Sequence, residues 1–425
     1  MLLTKKLSLF LFFATLSFTS AFALDGFLPI WLFAFVIAFF VNLAFFRPVI
    51  GRPIVAVELH DIVLVIFLLY LYIFSLINYS EKTWTYLAAY SFIFILLNYG
   101  CRAIFRNFHV RTIFIYNLLG VLLTCIFVVS DFAAFHYLFI DLQQYIPRFG
   151  PSTQALYWQG TFRRSYGFST EPGILVFYLN TLGLIALWTA FKFLSKTMAI
   201  GFLAIFGTAW FTTFSAGCTA SLIAAIAVAV ATRVVASGPV FVVKRGALFI
   251  ILIVVLVVGY LSLSGGIEVA TPILEKLTFQ DANVGSMRLE RWQFALSEIA
   301  SQPLGVGGLG SASEQGIAVL SWYLLLGMEV GVFPVFMIMF YISLNFWRAA
   351  RLSGSVGFIL TASIAAGAIQ LFAISSFFHP FLWVSMAMAS AFAAEKTTLS
   401  RNVLPNNVER VAKTSYSHVV GRKIF

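Results

Sequence analysis

Apolar runs of about 20 residues, separated by polar or charged stretches, recur along nearly the whole chain. Wound as a helix, a run of that length crosses a hydrocarbon core about 30 Å thick. The pattern predicts twelve spans, at roughly 7–24, 27–46, 62–79, 84–101, 112–131, 173–191, 198–214, 218–236, 246–264, 322–345, 356–374 and 380–394. Lys5-Lys6 ahead of an apolar stretch ending Ala21-Phe22-Ala23 also fits a signal peptide. Because so many spans follow, it is read as an uncleaved first helix. The expected fold is all-α and polytopic: a membrane body over 1–394 and a polar, basic tail over 395–425.

Composition agrees with this reading. Hydrophobic residues make up 61% of the 425 positions and charged residues 10%, against roughly 25% charged in soluble domains. The net charge of +11 does not require a nucleic-acid partner, because lysine and arginine are retained on the cytoplasmic side of membrane proteins. Twelve spans with an inner N-terminus put 20 of the 27 basic residues in inner segments and the tail, and 7 in outer segments. That asymmetry predicts that both termini are cytoplasmic. Cys101, Cys125 and Cys218 lie in or beside apolar runs with no Cys-x-x-Cys pair, so neither a zinc site nor a disulfide framework is expected.

Two outer segments are long, about 132–172 and 265–321, and hold six of the seven outer basic residues. Loops of this length are functional or disordered, and their aromatic residues do not fit disorder. The first loop ends in Thr161-Phe-Arg-Arg-Ser-Tyr-Gly-Phe-Ser-Thr-Glu-Pro-Gly173. Arg163 and Arg164 are adjacent and point different ways on a regular backbone. Glu171, just before Pro172, suits a helix N-terminus; it is equally placed to orient an arginine or act as a base. The small residues of Thr212–Ser221 suit close helix packing or the lining of a polar pocket.

The second loop contains Gly285–Gly310, a short basic helix followed by a glycine-rich stretch. Ser286 is a candidate cap, Gln302-Pro303 a stop, and Trp292, Leu296 and Ile299 recur at helical spacing. Arg288 and Arg291 share a face. They form either a diphosphate grip or ion pairs with Glu290, Glu298 or lipid headgroups. Gly305-Val-Gly-Gly-Leu-Gly310 lacks the Lys-Ser/Thr ending of a nucleotide P-loop; it suits a gate, a close backbone approach to a ligand or a plain connector.

These stretches together resemble the bacterial O-antigen polymerase and ligase superfamily, over about residues 110–345. Arg163/Arg164 with Gly167-Phe168 and Glu171-Pro172 resembles the basic-Gly-Phe-Glu-Pro stretch of the polymerases. Thr213-Phe-Ser215 resembles a Thr-x-Ser-Arg-Gly stretch, although Ala216 stands where the family has arginine. Arg288, Arg291-Trp292, Pro303-Leu-Gly305, Gly307-Gly308, Leu326, Glu329 and Gly331 resemble the stretch leading into and through a late catalytic span. Ligases carry a histidine near that span. Val319–Tyr323 has none, which favours a polymerase.

The resemblance implies a GT-C-like inner-membrane glycosyltransferase. It would move a growing glycan from undecaprenyl diphosphate to a hydroxyl of an incoming lipid-linked repeat at the periplasmic face, building O-antigen or exopolysaccharide. No cofactor, metal or nucleic acid is implied; the expected partners are the lipid diphosphate-linked oligosaccharide, membrane lipids and a chain-length regulator. Arg288, Arg164 and Glu171 are the expected catalytic residues. Arg163 and Arg291 would hold substrate, and Tyr166 and Trp292 would stack on sugar rings. The alternatives are a ligase acting on a lipid A-core acceptor and a lipid-linked oligosaccharide transporter.

Overall fold

The computed structural model describes residues 2–22, 29–44, 58–148, 158–159, 162–237, 285–375 and 377–394. The expected span at 246–264, residues 265–284 of the second loop and the tail from 395 lie outside them. The regular structure of the described residues is helical apart from one antiparallel ladder, pairing Trp158–Gln159 with Phe162–Arg163, and an isolated bridge between Ala21 and Arg148. Its longer helices are α1 (Leu2–Thr15), α2 (Ile30–Ala44), α3 (Leu59–Ile77), α4 (Thr83–Phe105), α5 (Val110–Leu138), α6 (Pro172–Phe193), α7 (Lys196–Phe211), α8 (Ala216–Ser237), α9 (Gly285–Ser301), α10 (Trp322–Val330), α11 (Val332–Arg351), α12 (Gly354–Gln370) and α13 (Phe381–Ala394).

Five of these, α3, α4, α5, α6 and α11, are long and apolar enough to cross a membrane. Shorter apolar helices cover Ile30–Ala44, Lys196–Phe211, Thr219–Arg233, Gly354–Gln370 and Phe381–Ala394. These are features of a polytopic helical membrane protein. Large apolar side chains face outward along α3 and α11, including Ile62, Leu69, Ile73, Phe336 and Phe340. The buried apolar faces merge into one continuous core. Within it α5 packs on α1, α6 and α7, while α12 packs on α8 and α11.

Local chemistry sets several boundaries. Pro172 opens α6, where its missing N–H costs nothing. The Ser195 and Ser321 side chains accept from the backbone N–H of Met198 and Leu324 and cap α7 and α10. α4 and α6 each contain a π-helical segment, Phe92–Leu97 and Leu179–Gly183.

The single late span expected at 322–345 is corrected. The chain breaks at Gly331, which has φ +91° and ψ 175°, and the long apolar helix is α11, running on to Arg351. The break is tertiary in origin. A Cβ at Gly331 would stand 2.7 Å from the Leu304 carbonyl. The Pro303–Gly310 segment packs into that notch: Val332 N–H donates to the Pro303 carbonyl at 3.0 Å, and Val306 N–H to the Met328 carbonyl at 2.9 Å.

Candidate functional site

Glu171 is held by the turn that precedes it. Gly167 has φ +56°, and a Cβ there would meet Val128 at 2.8 Å. The bend lets Phe168 pack between Phe18 and Phe127, each with its ring centroid 4.1 Å away. Arg148 fastens the same turn. It donates to the Ser169 carbonyl at 2.6 Å, to Ser20 Oγ at 2.9 Å, and to the Gly167 carbonyl and Gln143 Oε1. Glu171 then occupies the N-cap position of α6, but its side chain makes no capping hydrogen bond. The carboxyl is therefore left for something other than the helix end.

The guanidiniums of Arg164 and Arg288 lie near enough for their charges to act on this carboxyl. Burial raises the Glu171 pKa, and Arg164, then Arg288, lower it again. Glu171 has a large accessible area, yet its carboxyl is crowded enough to lose hydration. Both hold for a carboxyl that solvent reaches on one side while protein crowds it on the other. Arg164 and Arg288 are each half-buried. Arg164 Nε donates to the Thr213 carbonyl at 2.8 Å, and Ser165 N–H donates to the Thr212 carbonyl at 2.8 Å. The α7–α8 turn thus aims Arg164, and Phe214 in that turn takes the left-handed conformation at φ +46°. A non-glycine residue held there stores strain of the kind found at functional sites. Arg288 comes from the first turn of α9. Three segments far apart in sequence thereby bring two guanidiniums and one carboxylate together.

Arg163 does point away from Arg164, as adjacent residues should. It is buried, donating to Asp141 at 2.6 Å and to Asp131 at 3.1 Å, with its guanidinium 3.8 Å from the Phe135 ring centroid. His136 Nε2 accepts from its backbone N–H at 3.2 Å. The arginine expected to bind substrate is thus engaged inside the protein. Tyr166 differs from expectation in the same way: it is 4% exposed, and Arg148 lies 4.7 Å over its ring, which leaves no open face for a sugar. Trp292 donates its indole N–H to the Leu320 carbonyl at 3.4 Å and pins α9 to the segment before α10. Arg291, on the other hand, lines an open cavity of about 340 Å³ with Glu290, Phe294 and Gly316–Val319.

The glycine-rich stretch makes close backbone approaches, but to protein. A Cβ at Gly308 would stand 2.2 Å from the Asn78 carbonyl oxygen. The Leu309 carbonyl accepts from Ser80 and Thr83, and buried Glu329 accepts the N–H groups of Gly310 and Ala312 at 3.1 and 3.2 Å. The segment is a fastener between the α3–α4 turn and the α10–α11 break.

Arg148, Asp131, Asp141 and the Thr213 carbonyl were missed from sequence. Asp131 had one usable signal, a lone carboxylate in an apolar run. The others depend on tertiary contacts. His379 is buried, and burial lowers its pKa to about 3, so its imidazole stays neutral at working pH. Among the described residues, no group of three His, Cys, Asp or Glu is arranged to hold a metal. No protein-family model matches the chain, and the search of curated proteins finds no match.

Chemically, two arginines beside a solvent-reachable carboxylate make an anion site with a proton acceptor at its edge. Guanidiniums match phosphate oxygens bidentately and remain charged when desolvated. A carboxyl with a raised pKa is better suited to accept a proton near neutrality than an unperturbed one.

Proposed function

We propose that the chain is a polysaccharide polymerase acting on undecaprenyl diphosphate-linked oligosaccharide, with a GT-C-like arrangement of about twelve spans. The observation that carries this reading is the convergence of Arg164 and Arg288 on Glu171. The motif resemblance supports the same chemistry independently. The acceptor hydroxyl attacks the anomeric carbon of the donor sugar, whose bond to the diphosphate oxygen breaks with the electron pair leaving on that oxygen. Arg288 and Arg164 stabilise the departing diphosphate, and preorganised charge is most effective in such a poorly hydrated site. Glu171 accepts the proton of the attacking hydroxyl. Arg163, Arg148, Tyr166 and Trp292 position the loops, and Arg291 faces the glycan side.

In this reading the protein lies in the bacterial inner membrane with cytoplasmic termini, and Glu171 faces the periplasm. The charge asymmetry supports that orientation. The direct test incubates purified protein with synthetic undecaprenyl diphosphate-linked repeats, without nucleotide or metal. A ladder of lengthened glycans is expected. Glycan moved only onto a lipid A-core acceptor would make it a ligase. Lipid moved between leaflets with no new bond would make it a transporter.

A further inference from the structure

A second group of charges lies at the other end of α3 from the glycine-rich segment, and the proposed reaction does not use it. Glu58 and Asp61 form a capping box at the start of that helix. Arg102 donates to Asp61 at 2.6 Å and lies 3.7 Å from Glu58. Arg348 reaches Glu58, His60 Nε2 at 3.4 Å and Ser390 Oγ at 3.3 Å. His60 in turn lies 3.2 Å from Asp61. Arg106 is near enough for its charge to act on Arg102 and Asp61. Both carboxylates are thus turned onto Arg102 and Arg348, and guanidiniums outnumber carboxylates even before Arg351 is included.

Beside this cluster is an open cavity of about 350 Å³, walled by Leu59, His60, Trp347, Arg348 and Arg351 among others. Arg351 lies outermost, with its guanidinium carbon 5.2 Å from the Trp347 ring centroid. Trp347 is 47% exposed and Leu59 66%. They continue into the exposed apolar faces of α3 and α11, at Ile62 and Phe340. The cavity therefore has a cationic wall, in which buried His60 and Ser390 help fix Arg348 and Arg351 rests on Trp347, and an apolar rim that opens where these helices would meet acyl chains. Tryptophan and arginine at a helix end mark headgroup depth, and a guanidinium stacked on an aromatic ring is held ready for a bidentate phosphate contact.

We propose that this cavity binds the phosphodiester of an anionic phospholipid in the leaflet opposite Glu171. Arg351 and Arg348 hold the phosphate, and Leu59 and Trp347 bear on the first carbons of a chain. Neutral phosphatidylcholine carries its own cation, which the arginine wall disfavours. The inference stands whether or not the chain polymerises glycans.

The test is native mass spectrometry of the full-length detergent-solubilised protein, titrated with phosphatidylglycerol or phosphatidylcholine. Phosphatidylglycerol should bind more tightly. Arg351→Gln should weaken it by about tenfold, the worth of one charge-assisted contact, and Trp347→Ala should weaken it less. Arg111→Gln serves as the control, since that arginine lies over Phe193 and should leave binding unchanged. Arg351 is exposed, so its replacement should leave the melting temperature near wild type. Free glycerol phosphate competing at the lipid's own concentration would keep the anion site but assign it to a soluble ligand, overturning the lipid assignment. Equal binding of the two lipids, or unchanged phosphatidylglycerol binding in Arg351→Gln, would remove the site.

Discussion

Arg288→Lys keeps a positive charge but loses the planar two-pronged donor. If Arg288 receives the departing diphosphate, turnover should fall on the order of 10²–10³, as for other lost charge-stabilising donors. Protein level should be unchanged, and Arg288→Ala should cost at least as much. Wild-type turnover in Arg288→Ala at normal expression would take Arg288 out of the site. Glu171 gives a pH prediction. Arg164 lowers a pKa that burial raises, so Arg164→Gln should let it rise further. If deprotonated Glu171 is the active form, the acid limb of the pH–rate profile should then move to higher pH; an unmoved limb argues against Glu171 as the group that titrates. Arg163→Ala should act on folding instead. It leaves buried Asp131 and half-buried Asp141 without their cation, and breaking a buried pair such as Arg163–Asp131 this way costs about 3–5 kcal/mol. The readout is protein level and thermal stability, with little recovered turnover per folded molecule at stake.

At the scale of elements, the fastener of Pro303–Gly310 is the part most sensitive to added atoms. Gly308→Ala must place a Cβ 2.2 Å from the Asn78 carbonyl while keeping φ at +80°. It should therefore cost more than the about 1–2 kcal/mol of a left-handed residue alone. Gly316 also has positive φ, +69°, but nothing lies within 4 Å of its Cβ position, so Gly316→Ala should show only that smaller cost. Equal melting temperatures for the two variants would mean that the seat against α3 does not matter. Glu329→Leu should also destabilise, because the Gly310 and Ala312 N–H groups would lose their buried acceptor.

Across the whole molecule, contacts segregate the charges by end. Near the glycine-rich fastener the Lys82 backbone N–H donates to Glu314 and its ammonium to Ser313, whereas Glu58, Arg102 and Arg348 gather at the far end of α3. Arg233, on α8, donates to the Leu352 and Gly354 carbonyls at that second end. The proposed orientation can be checked with single cysteines after Cys218 is replaced, since Cys101 and Cys125 are buried. Gln315→Cys and Ser353→Cys are both at exposed positions. An impermeant thiol reagent should label the first in cells with a permeable outer membrane and the second only after inner-membrane rupture. The reverse order would place Glu171 on the cytoplasmic side and end the polymerase reading.

The run lengths of apolar residues were enough to place most helices, because lipid-facing and core-facing sides are both apolar and spacing by polar stretches alone marks the ends. Pro172 after Glu171 was enough to start α6. The pattern was blind at 322–345, since an apolar run does not show whether another backbone wedges into it; Gly331 bends there because Leu304 needs the room. It was equally blind to the fates of neighbouring arginines. Arg163 and Arg164 are the same residue type one position apart, yet Asp131 and Asp141 hold one inward while the Thr213 carbonyl aims the other toward Glu171. Residue chemistry marked the loop arginines as candidates for an anion grip. Which of them lies beside Glu171 and which turns inward depends on partners brought in from distant helices, and only the tertiary structure supplies those.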